Sequence, residues 1–266
     1  MMNDAFDQQA AQIVALATQA GVEILRVYER DFAVDQKEDK SPLTEADLAS
    51  HQVIVQGLGR LYPGIPVLSE EGADIPFATR RTWDRYWLID PLDGTREFVK
   101  RNGEFTVNVA LIENGAPTLG VVHVPVAGTS YVGVVGKGAW KIGSDGRWSG
   151  ISVCRPHATP IRVAGSRSHA GDSLARFLER IGAHEIVSMG SSLKLCLVAE
   201  GAADIYPRLG PTSEWDTAAA QAVVEAAGGR VTDTQLDVLR YNTKESLLNP
   251  HFLVFGDPEE DWARYL

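Results

Sequence analysis

Two aspartates three residues apart, in the stretch WLIDPLDGTREF from Trp87 to Phe98, carry the clearest chemistry in the sequence. Trp87-Leu88-Ile89 reads as a buried strand that runs straight into Asp90-Pro91-Leu92-Asp93. Proline stands at the second position of a four-residue β-turn, where its fixed φ is favoured. Such a turn brings its first and fourth Cα atoms within about 7 Å. Both carboxylates then converge on one point, with the Leu92 carbonyl beside them. These are hard oxygen donors, suited to Mg²⁺. Gly94-Thr95 follows, and REFVK reads as a short helix whose first free N–H groups favour a phosphate oxygen. A cation site beside an anion site is what metal-assisted phosphate hydrolysis requires. The competing account is a surface turn decorated with acids.

Other acids join the pattern. Glu70-Glu71 ends a predicted strand in VLSEEG, and carboxylates at strand ends gather along one rim of a sheet. Asp216, in SEWDTAA, begins a helix, where an ordinary N-cap is its competing role. A haloacid-dehalogenase phosphatase also ends an apolar strand in acids, but its D-x-D spacing is two rather than three. G-x-x-x-x-G-K-[ST], G-x-G-x-x-G, H-E-x-x-H and G-x-S-x-G patterns do not occur, so nucleotide-loop, dinucleotide, zincin and serine-hydrolase chemistry lack support.

These residues need a scaffold. Apolar spacing predicts an amphipathic helix over Ala11 to Tyr28. A second helix begins near Thr44, its expected N-cap, and stops at Pro63-Gly64. IPVLSEEG and YWLID are short buried strands. FTVNVALIENGAPTLGVVHVP is a hairpin about Asn114-Gly115, and TSYVGVVGKGAWKIG continues an antiparallel sheet. After Pro156 the texture changes to strands alternating with helices: PIRVAG, DSLARFLERIG, HEIVSMG, SSLKLCLVAEG, AADIYPRLG and EWDTAAAQAVVEAAGG. Gly228-Gly229 caps the last helix. An α+β half over 1–155, with most of the acids, and an α/β half over 156–266, with Asp216, are expected.

The chain has 266 residues, 44% of them hydrophobic and 23% charged, which is ordinary for a globular protein. A net charge of −10 argues against a nucleic-acid partner and is awkward for an anionic substrate unless cations are recruited. Cys154 and Cys196 lie far apart, as in a reducing cytoplasm. The opening MMNDAFDQQA has acids where a secretory signal has basic residues. No run of about 18 apolar residues suggests a membrane span, while peripheral attachment to a membrane face stays open.

Taken together, Asp47, the EE pair at 70–71, DPLDGT at 90–95 and WDTAA at 215–219 closely resemble the signature of the lithium-sensitive, Mg²⁺-dependent phosphatases. That superfamily includes inositol monophosphatases and 3′(2′),5′-bisphosphate nucleotidases. The stretches YWLIDPLDGTREFVKRNGEFTVNVALI, SRSHA and GSSLKLCLVAEGAADIYPRLGPTSEWDTAA resemble its CysQ-type nucleotidases. The resemblance implies a layered αβαβα sandwich of the inositol monophosphatase type, with the active site between its halves. It implies hydrolysis of the 3′-phosphate of adenosine 3′,5′-bisphosphate (PAP) to AMP, in some relatives also action on PAPS, within sulfur assimilation.

Carried over by position, Glu70, Asp90 and the Leu92 carbonyl would hold one Mg²⁺, and Asp90, Asp93 and Asp216 a second. A third, weaker Mg²⁺ near Glu70 fits the family pattern. Gly94 and Thr95 would give backbone N–H groups to the scissile phosphate. The Thr95 hydroxyl, with Glu70 or Asp47, would orient and deprotonate the attacking water. On the nucleotide side, Ser191, Ser192 and Lys194 would open a helix towards an anion or ribose oxygens. Arg208 offers a fork for a second phosphate, and Ser168 and His169 match substrate-contacting positions in relatives. Capping serines, a solvated lysine and an arginine paired with a surface acid are the ordinary alternatives. Glu214 occupies a position where an acid contacts sugar hydroxyls in inositol monophosphatases, which keeps an inositol- or sugar-phosphate substrate as the runner-up. A silent metal- or phosphonucleotide-binding regulator is disfavoured, because every expected ligand type and Thr95 are present. Monomer and homodimer both stay open.

Overall fold

A computed structural model of the chain describes residues 5–30, 42–165 and 172–266. The spacing of Ile13, Leu16, Ala17, Ala20, Ile24 and Val27 puts one apolar stripe along α1 (Ala5–Tyr28), and all six are buried. Over Gln8–Tyr28 this helix reaches the length and hydropathy of a membrane span, but its stripe belongs to the core shared with α2 (Pro42–Leu61) and a large sheet. Thr44 lies inside α2, two residues past its start, so the expected N-cap is corrected: the helix begins earlier, at Pro42.

Among the described residues the large sheet has seven strands in sequential order. They are β1 (Val67–Ser69), β2 (Arg85–Asp93), β3 (Thr106–Glu113), β4 (Ala116–Val124), β5 (Thr129–Val134), β6 (Gly138–Ile142) and β7 (Trp148–Ile151). Only β1 and β2 are parallel; the others pair antiparallel. The β3–β4 hairpin turns at Asn114 and Gly115, both at positive φ, as a two-residue primed turn demands. Between β1 and β2 come a 3₁₀ turn at Glu70–Gly72 and α3 (Phe77–Arg80); α4 (Thr95–Val99) follows β2.

The second sheet has order β11-β12-β10-β8-β9, from β8 (Ile161–Gly165), β9 (His184–Ser188), β10 (Ile205–Arg208), β11 (Arg230–Asp233) and β12 (Phe252–Phe255). The strand predictions did not include β7, β11 and β12. Its helices are α5 (Asp172–Ile181), α6 (Leu193–Ala199) and α7 (Glu214–Ala226).

Strand alternation assigns the layers. Trp87, Ile89, Val107, Val109 and Leu111 face α1 and α2. Tyr86, Leu88, Ala110 and Ile112 face α6 and α7, which also cover Ala164, Tyr206, Phe252 and Val254 of the second sheet. Val163, Ile205, Leu253 and Phe255 point outward with Phe177 of α5 and Trp262. The expected αβαβα sandwich is therefore present. Small residues bring α7 against the large sheet: a Cβ on Gly120 would lie 2.0 Å from the Ala219 carbonyl oxygen.

Candidate active site

β2 does not end in a turn at Asp90. It stays paired with β3, with Asp90 opposite Asn108 and Asp93 opposite Thr106, so two residues, Pro91 and Leu92, face one. This is a β-bulge, and it corrects the expected β-turn. In a regular strand, residues three apart point to opposite faces. The extra residue resets the alternation: Tyr86, Leu88, Asp90 and then Asp93 share the face towards α6 and α7, while Trp87, Ile89 and then Leu92 share the other. The two carboxylates converge, as expected, by a different route. Proline suits a bulge because it has no N–H to lose from the ladder. The Ser50 hydroxyl donates to the Pro91 carbonyl at 2.8 Å, and the Leu92 N–H donates to Asp90 Oδ1 at 3.0 Å.

Asp216 arrives from α7. It is the third residue of a capping box, accepting the Ser213 N–H at 2.9 Å, so Ser213 is the N-cap rather than Asp216. One carboxylate oxygen from each of Asp90, Asp93 and Asp216 lies within 4.8 Å of the others. Parallel pairing of β1 with β2 ends at Ser69 opposite Ile89, so Glu70 emerges beside Asp90, close enough for the two carboxyl groups to act on each other. Asp47 comes from α2, buried, with Oδ1 lacking a hydrogen-bond partner among the described residues.

The electrostatics follow. Burial pushes the Asp90 carboxyl well above the usual carboxylate range, with Asp93, Glu70, Asp216 and Asp47 adding to the rise. Burial, then Asp93, pushes Asp216 up to about 7. Burial, then Glu71 and Glu70, pushes Asp47 up to about 8. Glu70, more exposed, is also raised, chiefly by partial burial. Carboxylates this close hold together only by sharing protons or by sharing a cation. The all-oxygen donor set and the orphaned Asp47 oxygen fit a hard divalent ion.

Gly94 leads from the bulge into α4 with φ +96°, and its Cβ would press on the Glu104 carbonyl and Phe105 backbone, so glycine is required there. With exposed Thr95 it lines a cavity of about 660 Å³ that also takes in Asp93, Asp216, Lys194 and Arg208. Lys194 is 8% exposed; its ammonium donates to the Ser191 carbonyl at 2.7 Å and lies over the Tyr206 ring. Burial pushes it down to about 8. Arg208 donates to Thr212 Oγ1 and to the Pro211 carbonyl, both at 2.8 Å. Ser191 lines the cavity and Ser192 is buried against it; Ser192 stands at the start of α6 but its side chain makes no cap. Ser168 and His169 lie outside the described residues.

Glu214 is placed differently from the rest. It is 1% exposed, accepts the Asn242 N–H at 2.9 Å, and is absent from the cavity lining. Burial pushes its carboxyl up to about 7.

With this geometry in hand, the sequence matches the inositol monophosphatase family over residues 6–257. The chain belongs to the inositol monophosphatase family. It is 52% identical to a 3′(2′),5′-bisphosphate nucleotidase CysQ of Salmonella typhimurium over 91% of this chain and 98% of that protein. Identity to the protein of the same name from Haemophilus influenzae is 39%, over 94% of each. A crystal structure of CysQ from Bacteroides thetaiotaomicron, a bacterial member of this family, superposes with a TM-score of 0.84 at 42% identity, covering 96% of this chain and 99% of that one.

Residues outside the motifs also converge on this region. Thr106 and Asn108 of β3 meet Ser191 and Ser192 across the layers. A signal was available: in FTVNVALI, Thr106 and Asn108 are the only polar residues of an otherwise apolar run, and they share one face.

Proposed function

We propose that the chain is a Mg²⁺-dependent 3′(2′),5′-bisphosphate nucleotidase that removes the 3′-phosphate of PAP to leave AMP and phosphate, and that also accepts PAPS. One observation carries it: the carboxylate cluster opens onto a cavity whose other walls bring Lys194 and Arg208 to the same space. A bisphosphate has one phosphate for the cluster and one for the cations. The similarity to CysQ proteins supports the same choice.

In this reading Glu70, Asp90, the Leu92 carbonyl, Asp93 and Asp216 hold two Mg²⁺, with a third and weaker one beside Glu70. Bound there, the ions neutralise the phosphate and acidify water. Gly94 and Thr95 line the cavity and offer N–H groups and a hydroxyl to the phosphate. Thr95, with Glu70 or Asp47, orients the attacking water and takes its proton. Lys194 and Arg208 hold the phosphate that stays. The competing inositol-phosphate reading leans on Glu214, which is buried and bonded to Asn242, so nothing favours it.

Phosphate release from PAP and from inositol 1-phosphate, measured side by side with Mg²⁺, with EDTA and with added Li⁺, tests the reading. A strong PAP preference that disappears with EDTA and weakens with Li⁺ is expected. Equal or better turnover of inositol 1-phosphate overturns it.

A further inference from the structure

Ser191 and Ser192 stand where a nucleotide contact is expected, yet their protons are committed to other partners. The Ser191 hydroxyl donates to Asp93 Oδ2, and the Ser192 N–H donates to the same oxygen at 2.6 Å. The Ser192 hydroxyl donates to Asn108 Oδ1 at 2.9 Å. Thr106 Oγ1 lies 2.7 Å from Ser191 Oγ and 2.9 Å from Ser192 Oγ, against 3.3 Å from Asn108 Oδ1 and 3.5 Å from Asp93 Oδ2. Each hydroxyl has a single proton. With both serine protons spoken for, the Thr106 proton goes to a serine oxygen, and Ser191 is nearer. The chain of donors therefore runs from Thr106 through Ser191 to Asp93, each bond polarising the next towards the carboxylate.

The segment is also held in place from outside. The Gly190 N–H donates to Glu104 Oε2 at 2.8 Å. Ser191 adopts φ +53°, a left-handed conformation that costs a non-glycine residue energy, and Lys194 holds its carbonyl. Thr106 and Asn108 belong to the large sheet, while residues 190–192 leave β9 of the second. The two sheets thus meet on one oxygen of Asp93.

We propose that Thr106, Ser191 and Ser192 are positioning residues for Asp93: they saturate Oδ2 and fix the carboxylate so that Oδ1 is turned to the cation. This rests on the assignment of Asp93 to the cation cluster. Partners that orient a ligand typically contribute 10–100-fold to metal affinity.

The test is Mn²⁺ binding to the substrate-free protein, read from the loss of the free-ion electron paramagnetic resonance signal, beside KM for PAP at saturating Mg²⁺. Ser191→Gly removes the hydroxyl and suits the left-handed backbone; Thr106→Val removes the first donor, and Thr106→Ser restores it. Ser191→Gly and Thr106→Val are expected to weaken Mn²⁺ binding about 10-fold, with Thr106→Ser near wild type and KM for PAP little changed in Thr106→Val, whose side chain is not part of the cavity lining. Circular dichroism checks that each variant is folded, and loss of fold in one leaves the other to decide. Wild-type Mn²⁺ affinity in both, or a raised KM with unchanged Mn²⁺ affinity, overturns the proposal. Asp93→Asn separates the two levels: wild-type Mn²⁺ binding in that variant removes Asp93 from the cluster itself.

Discussion

Replacing Asp216 by asparagine should make the metal-free protein more stable and, above pH 7, by a wide margin. Burial beside Asp93 moves the Asp216 carboxyl from 3.8 to about 7. The folded state therefore keeps a proton that the unfolded state releases above pH 4. A raised carboxyl of this kind lowers stability as pH rises from the unfolded to the folded value, and the loss is complete above about pH 7. At 1.36 kcal/mol per pKa unit, a shift of about 3 units corresponds to about 4 kcal/mol. Asparagine carries no such linkage, and its side-chain oxygen still accepts the Ser213 N–H.

The advantage of Asp216→Asn should thus grow from about 1–2 kcal/mol at pH 5 to about 4 kcal/mol at pH 7.5. At roughly 2–4 °C per kcal/mol for a chain of this size, the melting temperature gains on the order of 10 °C. His123, pushed down to about 4 by burial, gives wild-type stability the opposite slope below pH 6.5. Comparing variant with wild type at each pH cancels it. The assay is thermal unfolding in EDTA from pH 5 to 8, repeated with saturating Mg²⁺. With Mg²⁺ the order should reverse, since the wild type gains binding energy and the variant has lost a ligand. A constant difference across pH, or a variant no more stable at pH 7.5, would refute the account of Asp216 as a buried charge awaiting a cation.

Arg208→Ala should reduce kcat/KM for PAP about 10–100-fold, the worth of a charge-assisted phosphate contact, while sparing a simple phosphate monoester; equal losses make Arg208 a brace for residues 211–212. Gly120→Ala should destabilise by at least the 1–3 kcal/mol of ordinary overpacking, because the new methyl would meet the Ala219 carbonyl; an unchanged urea midpoint would mean that α7 can retreat from the sheet.

Much of this protein could be read locally. The hairpin at Asn114-Gly115, the stripe on α1 and the capped α7 rest on short-range preferences, and the structure keeps them. The acids of DPLDGT and WDTAA reveal their chemistry by type and spacing. Their meeting could be foreseen, but its means could not: a β-turn and a β-bulge both suit Asp-Pro-Leu-Asp, and only pairing with Asn108 and Thr106 selects the bulge. Glu214 shows the same limit, since its neighbour in sequence, Trp215, says nothing of the Asn242 N–H that holds it.

The sequence alone determined which donors this protein carries and most of the elements that bear them, while the order of its layers was implied only by the family resemblance. Tertiary structure alone decided which atoms those donors face. Asp93 and Ser191 are 98 residues apart, and no local preference of the backbone reaches that far. Their contact exists because apolar strand and helix faces bury each other in one arrangement, and the polar groups take the partners that this arrangement leaves.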